Sequence, residues 1–182
     1  MSNAYECFEL SPIAIANRFV TNGIDGNRPV DLLKVVKLVY FAYGATLAYF
    51  RKRLFDEPIE AWNYGPVVPS VYHSFKHYGK GVITEVAQEV IMDKKTYKFS
   101  LNTPHLQDTD INKLLANVSD GRKCNILDVV WETYGKYSGA ALVDLTHKEG
   151  SPWGKVFESD KAHIELRDED IEEYFAGRGW RS

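Results

Sequence analysis

Hydrophobic positions recur at helical spacing over much of the chain, with one interval where the period falls to two. Ser11-Pro12 has the form of a helix start, a hydroxyl to cap the free amides and a proline where no amide bond is lost. Ile15, Ala16, Phe19 and Val20 then share a face, and Asn22-Gly23 reads as the stop. Asp31 to Arg53 forms the longest predicted helix, with acid at its start and the cations Arg51, Lys52 and Arg53 at its end, in keeping with the macrodipole. Its second half is apolar all round, which predicts a central buried helix. Leu54 to Tyr64 lacks helical periodicity and reads as an extended arm or short strand, closed by a rigid turn at Gly65-Pro66 and Pro69. Pro69 then opens a helix through Val71, Tyr72, Phe75 and Lys76 to the Gly79 stop.

Between Val82 and Leu101 the alternation of Val86, Val90 and Met92, then Tyr97, Phe99 and Leu101, around Asp93-Lys94-Lys95, predicts a β-hairpin. Helical spacing returns at Ile111, Leu114, Leu115 and Val118 behind Asp108 as candidate cap, and again at Ile126, Val129, Val130, Tyr134 and Tyr137. Ser138 and Ser151-Pro152 each open a short helix. Asp168 is read as the cap of a last, acidic helix over about 168–176, carrying Ile171, Tyr174 and Phe175 and stopped by Gly177. No repeat, low-complexity tract or linker interrupts the series. The expected fold is mainly α, an α+β chain forming one compact helical domain over 1–182, built around a central long helix with a small β-hairpin.

Composition narrows the functional classes. The 182 residues are 45% hydrophobic and 13% aromatic, enough for a real core. Two cysteines, Cys7 and Cys124, make no disulfide framework and no metal knuckle, so reduced thiols in a cytoplasmic protein are expected. A net charge of −3 gives no general attraction to nucleic acid. The Arg51–Arg53 cluster and the acid-rich stretch from Glu158 to Glu173 read as solvated faces. Ser2, Asn3 and Ala4 have the look of a tag remnant. No secretory signal is visible, and the apolar run Leu38 to Phe50 is shorter than the roughly 20 residues a bilayer needs.

The stretch Glu60 to Tyr72 concentrates the candidate chemistry. Two prolines and a glycine fix the backbone while Trp62, Tyr64, Val67, Val68 and Tyr72 supply large groups. A rigid loop presenting aromatics loses little entropy on association, which suits a protein-binding hot spot; the alternative is a loop stapled to the long helix by the same side chains. His73 and His77, four apart, have helical metal-ligand spacing, with His147, Asp56 or Glu57 as a third ligand, but Ser74 stands where a metalloprotease helix carries glutamate. No activated nucleophile, serine elbow or phosphate-binding glycine loop occurs, so no cofactor, metal or catalytic residue is assigned. His147 reads as a side chain bonding the backbone of the following turn.

Leu38-Val39-Tyr40-Phe41-Ala42, Pro58-Ile59-Glu60-Ala61-Trp62, the string from Tyr64-Gly65-Pro66 to Tyr72, and Leu145-Thr146-His147-Lys148-Glu149 with Pro152-Trp153 together resemble the Panacea domain family. That family includes phage-associated GepA-like proteins and SocA-type antitoxins. The match runs in order from about Ile13 to about Trp153. The resemblance implies a mostly helical, non-enzymatic protein that neutralises a cognate toxin by direct binding, by occlusion or by delivery to a cellular protease. It points to Trp62, Tyr64, Val67, Val68, Tyr72, His147 and Trp153 as partner-binding positions. No helix-turn-helix unit or basic domain accompanies it. A metal-dependent hydrolase using His73 and His77, and a nucleic-acid-binding regulator using Arg51–Arg53, stand as alternatives.

Overall fold

The computed structural model describes residues 5–117, 123–159, 161 and 164–180. The tag-like Ser2–Ala4 and the helical position expected at Val118 lie outside them. The architecture is mainly helical, with small two-stranded sheets, as the hydrophobic periodicity predicts.

Helix α1 (Pro12–Asp25) starts where expected, Ser11 Oγ accepting from the Ala14 amide at 3.2 Å. It does not stop at Asn22-Gly23. Gly23 lies inside the helix because Val30 crosses it so closely that a Cβ would sit 2.5 Å from the valine methyl; the helix closes at Gly26 instead.

Helix α2 (Leu32–Phe50) is the core. Asp31 caps it by accepting from the Lys34 amide at 2.8 Å, and Arg51, in the left-handed conformation at φ 54°, ends it. Every residue from Val35 to Ala48 is buried. The helix is long and apolar enough to cross a membrane by length and composition, but 83% of its most apolar window is buried inside the protein. Helix α1 and the later helices α3 (Pro69–Phe75), α5 (Ile126–Tyr134), α6 (Gly139–Thr146) and α8 (Asp168–Ala176) pack around it.

The three cations at its end are not one solvated cluster. Lys52–Arg53 forms strand β2, paired in parallel with β1 (Glu6–Cys7), a ladder the sequence does not announce. Arg51 reaches Glu172 at 3.5 Å, Lys52 reaches Glu6 at 2.5 Å and Arg53 reaches Asp56 at 2.6 Å, so these charges tie both termini to the central helix. The acid-rich C-terminal stretch is likewise partly engaged: Lys155 pairs with Asp170 at 2.8 Å. Asp168 is not the cap of α8. It is the first helical residue, and its carboxylate accepts from the Tyr43 hydroxyl at 2.6 Å.

Strands β3 (Glu60–Trp62) and β4 (Gly65–Val67) form an antiparallel pair, after which α3 begins at Pro69. The predicted hairpin appears as β5 (Glu89–Met92) and β6 (Phe99–Asn102). The helix expected to run through Leu115 is shorter. Helix α4 (Asp108–Lys113), capped by Gln107 rather than Asp108, gives way to β7 (Leu115–Asn117), which pairs with β8 (Lys123–Asn125). Asn125 explains the break. Its amide donates to the Ile111 carbonyl at 2.7 Å, ending α4, while its carbonyl oxygen accepts from Leu127 at 2.9 Å and caps α5. Helix α5 stops at Tyr134, leaving Tyr137 exposed beyond it. Ser138 and Ser151 cap α6 and α7 (Pro152–Val156) as predicted.

Candidate functional site

The rigid stretch resolves into a tight hairpin lying on the central helix. Glu60 pairs with Val67, Ala61 with Pro66 and Trp62 with Gly65, so Asn63 and Tyr64 form a two-residue turn. Gly65 has φ +94°, a conformation that favours glycine, and a Cβ there would lie 2.4 Å from Thr146 Oγ1 and 3.0 Å from Lys37 Nζ. Backbone geometry and close approach therefore demand the same residue. Gly65→Ala should lower stability by about 1–3 kcal/mol, the usual penalty for overpacking, with the unfavourable φ adding to it. Denaturant unfolding of the variant checks this, and a change below about 0.5 kcal/mol would show that the loop shifts freely.

The side chains assigned to this loop part company. Tyr64, at the tip, is 67% exposed. Trp62 and Tyr72 are half-buried and pack edge to face, 4.9 Å between centroids, with the Trp62 Nε1 donating to Glu60 at 2.7 Å. Val67 and Val68 are buried, where they pack in the core and hold the hairpin down. Trp153 and His147 join the same neighbourhood. Trp153 Nε1 donates to the Trp62 carbonyl at 2.8 Å, and the imidazole stacks on the Trp153 ring at 3.8 Å and 11°. His147 Nε2 is buried and has no hydrogen-bond partner among the described residues; the ring is held by its stack on Trp153. Burial, and then the charge of Lys37, push its pKa below the ordinary histidine value.

Below the tip, a pocket of about 460 Å³ opens between α2 and the hairpin, lined by Leu33, Val36, Trp62, Tyr64, Val67 and Tyr72 among others, with Lys37 in its lining. Lys37 is 1% exposed and donates to the Pro66 carbonyl at 2.8 Å. Burial pushes its amine down to about 7. In the sequence Lys37 stands just before the apolar run Leu38 to Phe50, and its place inside the site was not legible.

The pair His73 and His77 is not presented on one α-helical face. Helix α3 ends at Phe75, His77 lies in the tighter 3₁₀ turn Lys76–Tyr78, and both rings are exposed. Among the described residues no group of three His, Cys, Asp or Glu side chains comes together in a way that could hold a metal ion.

A second surface was missed as a site, although its strands were predicted. Register places Val90 opposite Leu101 and Met92 opposite Phe99, so these four share one face of the β5–β6 hairpin. Their exposures are 66%, 68%, 44% and 70%, and Tyr97 near the tip is 75% exposed. The roots of the hairpin are nonetheless fixed. Asn17, buried in α1, donates to the carbonyls of Ala87 and Pro104 at 3.0 and 2.9 Å and accepts from the Ala87 amide at 2.7 Å. A single buried amide thus clamps both ends of a protruding apolar hairpin. Alternation of period two, broken only by Ile91, was the available signal, since an amphipathic hairpin must cover its apolar face with something.

Antitoxin SocA of Caulobacter vibrioides (strain NA1000 / CB15N) is 29% identical over 144 residues, covering 79% of this chain and 68% of the relative. No solved structure gives a significant match. Residues 35–154, which carry the central helix, the tight hairpin with its pocket, and the His147–Trp153 stack, match the family described as antitoxin SocA-like, Panacea domain. The chain belongs to that family.

Proposed function

We propose that this protein is an antitoxin that neutralises a toxic protein by binding it directly, without chemistry of its own. The observation that carries the reading is the apolar face of Val90, Met92, Phe99 and Leu101, held in solvent by a clamped hairpin. Contiguous exposed apolar surface of this kind marks a protein-binding site, and a preorganised one loses less entropy on association. Tyr64, exposed at the tip of the second hairpin, supplies a separate aromatic contact. Membership of an antitoxin-like family and the likeness to antitoxin SocA support a toxin as the partner. Both hairpins belong to one domain over 1–182, which acts in the cytoplasm where its toxin is made. Co-expression with the product of the neighbouring gene tests the proposal: growth should be restored, and a complex should co-purify. Rescue by a chain carrying Ser at Val90, Phe99 and Leu101, equal to that of the parent, would remove the hairpin from the interface.

A further inference from the structure

The pocket between the central helix and the tight hairpin holds a feature that toxin binding does not use. Its walls are mainly apolar and aromatic, with Asn63, Ser159 and Lys161 also lining it, and Lys37 stands in that lining 1% exposed. An ammonium group has three N–H donors, and among the described residues Lys37 spends one of them, on the Pro66 carbonyl at 2.8 Å. No aspartate or glutamate among the described residues lines the pocket; the second cation there, Lys161, pairs with Glu158 at 2.7 Å. A buried positive charge without a counter-ion is costly, and a negative ligand would relieve that cost.

We infer that this pocket binds a small organic acid, its carboxylate seated on Lys37 Nζ and its aromatic or branched aliphatic body between Val36, Trp62 and Tyr72. The volume of about 460 Å³ falls in the range of small-molecule sites, which combine apolar walls with a few convergent polar groups. With Lys161 paired to Glu158, Lys37 is the buried ammonium left for a ligand among the described lining residues and matches one carboxylate; a phosphate would need several donors. A free acid fits better than the end of a polypeptide, because the main chain beside the pocket is already engaged. The outer edge of β3 is covered by Ala61 donating to Ile164 at 2.7 Å and Leu166 donating to Ile59 at 2.8 Å, and on β4 Pro66 has no N–H to give. Burial alone holds the amine near 7, with no acidic neighbour among the described residues raising it.

Titration calorimetry with 3-phenylpropanoate, 3-phenylpropanamide and an acetylated Gly-Gly-Phe peptide with a free carboxylate tests this on the full chain. The acid should bind one to one, the amide at least tenfold more weakly, and the peptide no better than the amide. Lys37→Met should abolish the preference for acid over amide. Leu33→Trp, which fills the pocket from its half-exposed rim and leaves Lys37 in place, should abolish binding of both and guards against a misfolded Lys37 variant. Equal binding of acid and amide, binding of neither, tighter binding of the peptide, or acid binding that survives Lys37→Met would each overturn the inference. Toxin rescue by Lys37→Met is independent of it, so the antitoxin reading stands or falls separately.

Discussion

Lys37→Met should make the protein more stable at pH 6, by about 2–3 kcal/mol, and should lose that advantage at pH 10. Burial lowers the Lys37 amine from the ordinary 10.5 to about 7. A tenfold displacement of a protonation equilibrium corresponds to about 1.4 kcal/mol, so carrying the charge into the core costs on the order of 4–5 kcal/mol. Methionine has a similar shape and carries no charge. Against the gain stands the hydrogen bond to the Pro66 carbonyl, whose loss costs about 1–3 kcal/mol if the oxygen finds no other partner. The charge term is the larger at low pH. The sign with pH follows from linkage. Between pH 7 and 10.5 the unfolded lysine holds a proton that the folded one has released, so the parent gains stability as pH rises. The variant has no such dependence, and other titrating groups are common to both chains. The two unfolding curves should therefore approach one another and cross near pH 10, where only the lost hydrogen bond remains. A variant less stable than the parent at pH 6 would mean that the amine is better solvated than its burial implies.

Replacing Val90, Phe99 and Leu101 together by Ser should weaken the toxin complex at least 100-fold while leaving the fold intact. The three side chains are 66–70% exposed, so truncation removes little packing, and surface changes of this kind usually stay within about 0.5 kcal/mol each. Anchors at an interface centre are worth about 2–4 kcal/mol apiece, and not additively, so about 2.8 kcal/mol for the triple variant is a conservative expectation. The strands themselves persist because serine is tolerated in the ladder and Asn17 still clamps their roots. Loss of binding with an unchanged melting temperature places the interface on the hairpin. Parallel loss of both would show that the apolar face folds back on the body of the protein.

Most of the helical frame was legible because its signals are local. Ser11, Asp31, Ser138 and Ser151 each cap a helix with their own side chains, and the apolar run of α2 announces the core. The errors lie where a distant partner decides. Asn125 ends α4 from 14 residues away, Val30 crosses α1 so closely that only glycine fits at position 23, and Tyr43 draws Asp168 out of a capping role. The parallel pairing of β1 with β2 joins segments some 45 residues apart and leaves no periodic trace. At the candidate site a rigid turn was legible, but it lies at Asn63-Tyr64 rather than at Gly65-Pro66, which belong to β4, and which side chains face outward was not legible. Val67 and Val68 are as bulky as interface residues and are buried; only the fold tells them from Tyr64. The same holds for Lys37, polar in sequence and buried in space.

Neutralisation by direct binding requires a complex that can be isolated. The most direct test co-expresses the tagged chain with the neighbouring toxic protein, then measures growth and the composition of the affinity-purified material in the same culture. Direct binding should give restored growth together with a complex of defined stoichiometry that survives purification, and both should be lost for the Val90, Phe99 and Leu101 triple variant. Restored growth with no toxin co-purifying, and no complex detected by crosslinking in the cell, would contradict it.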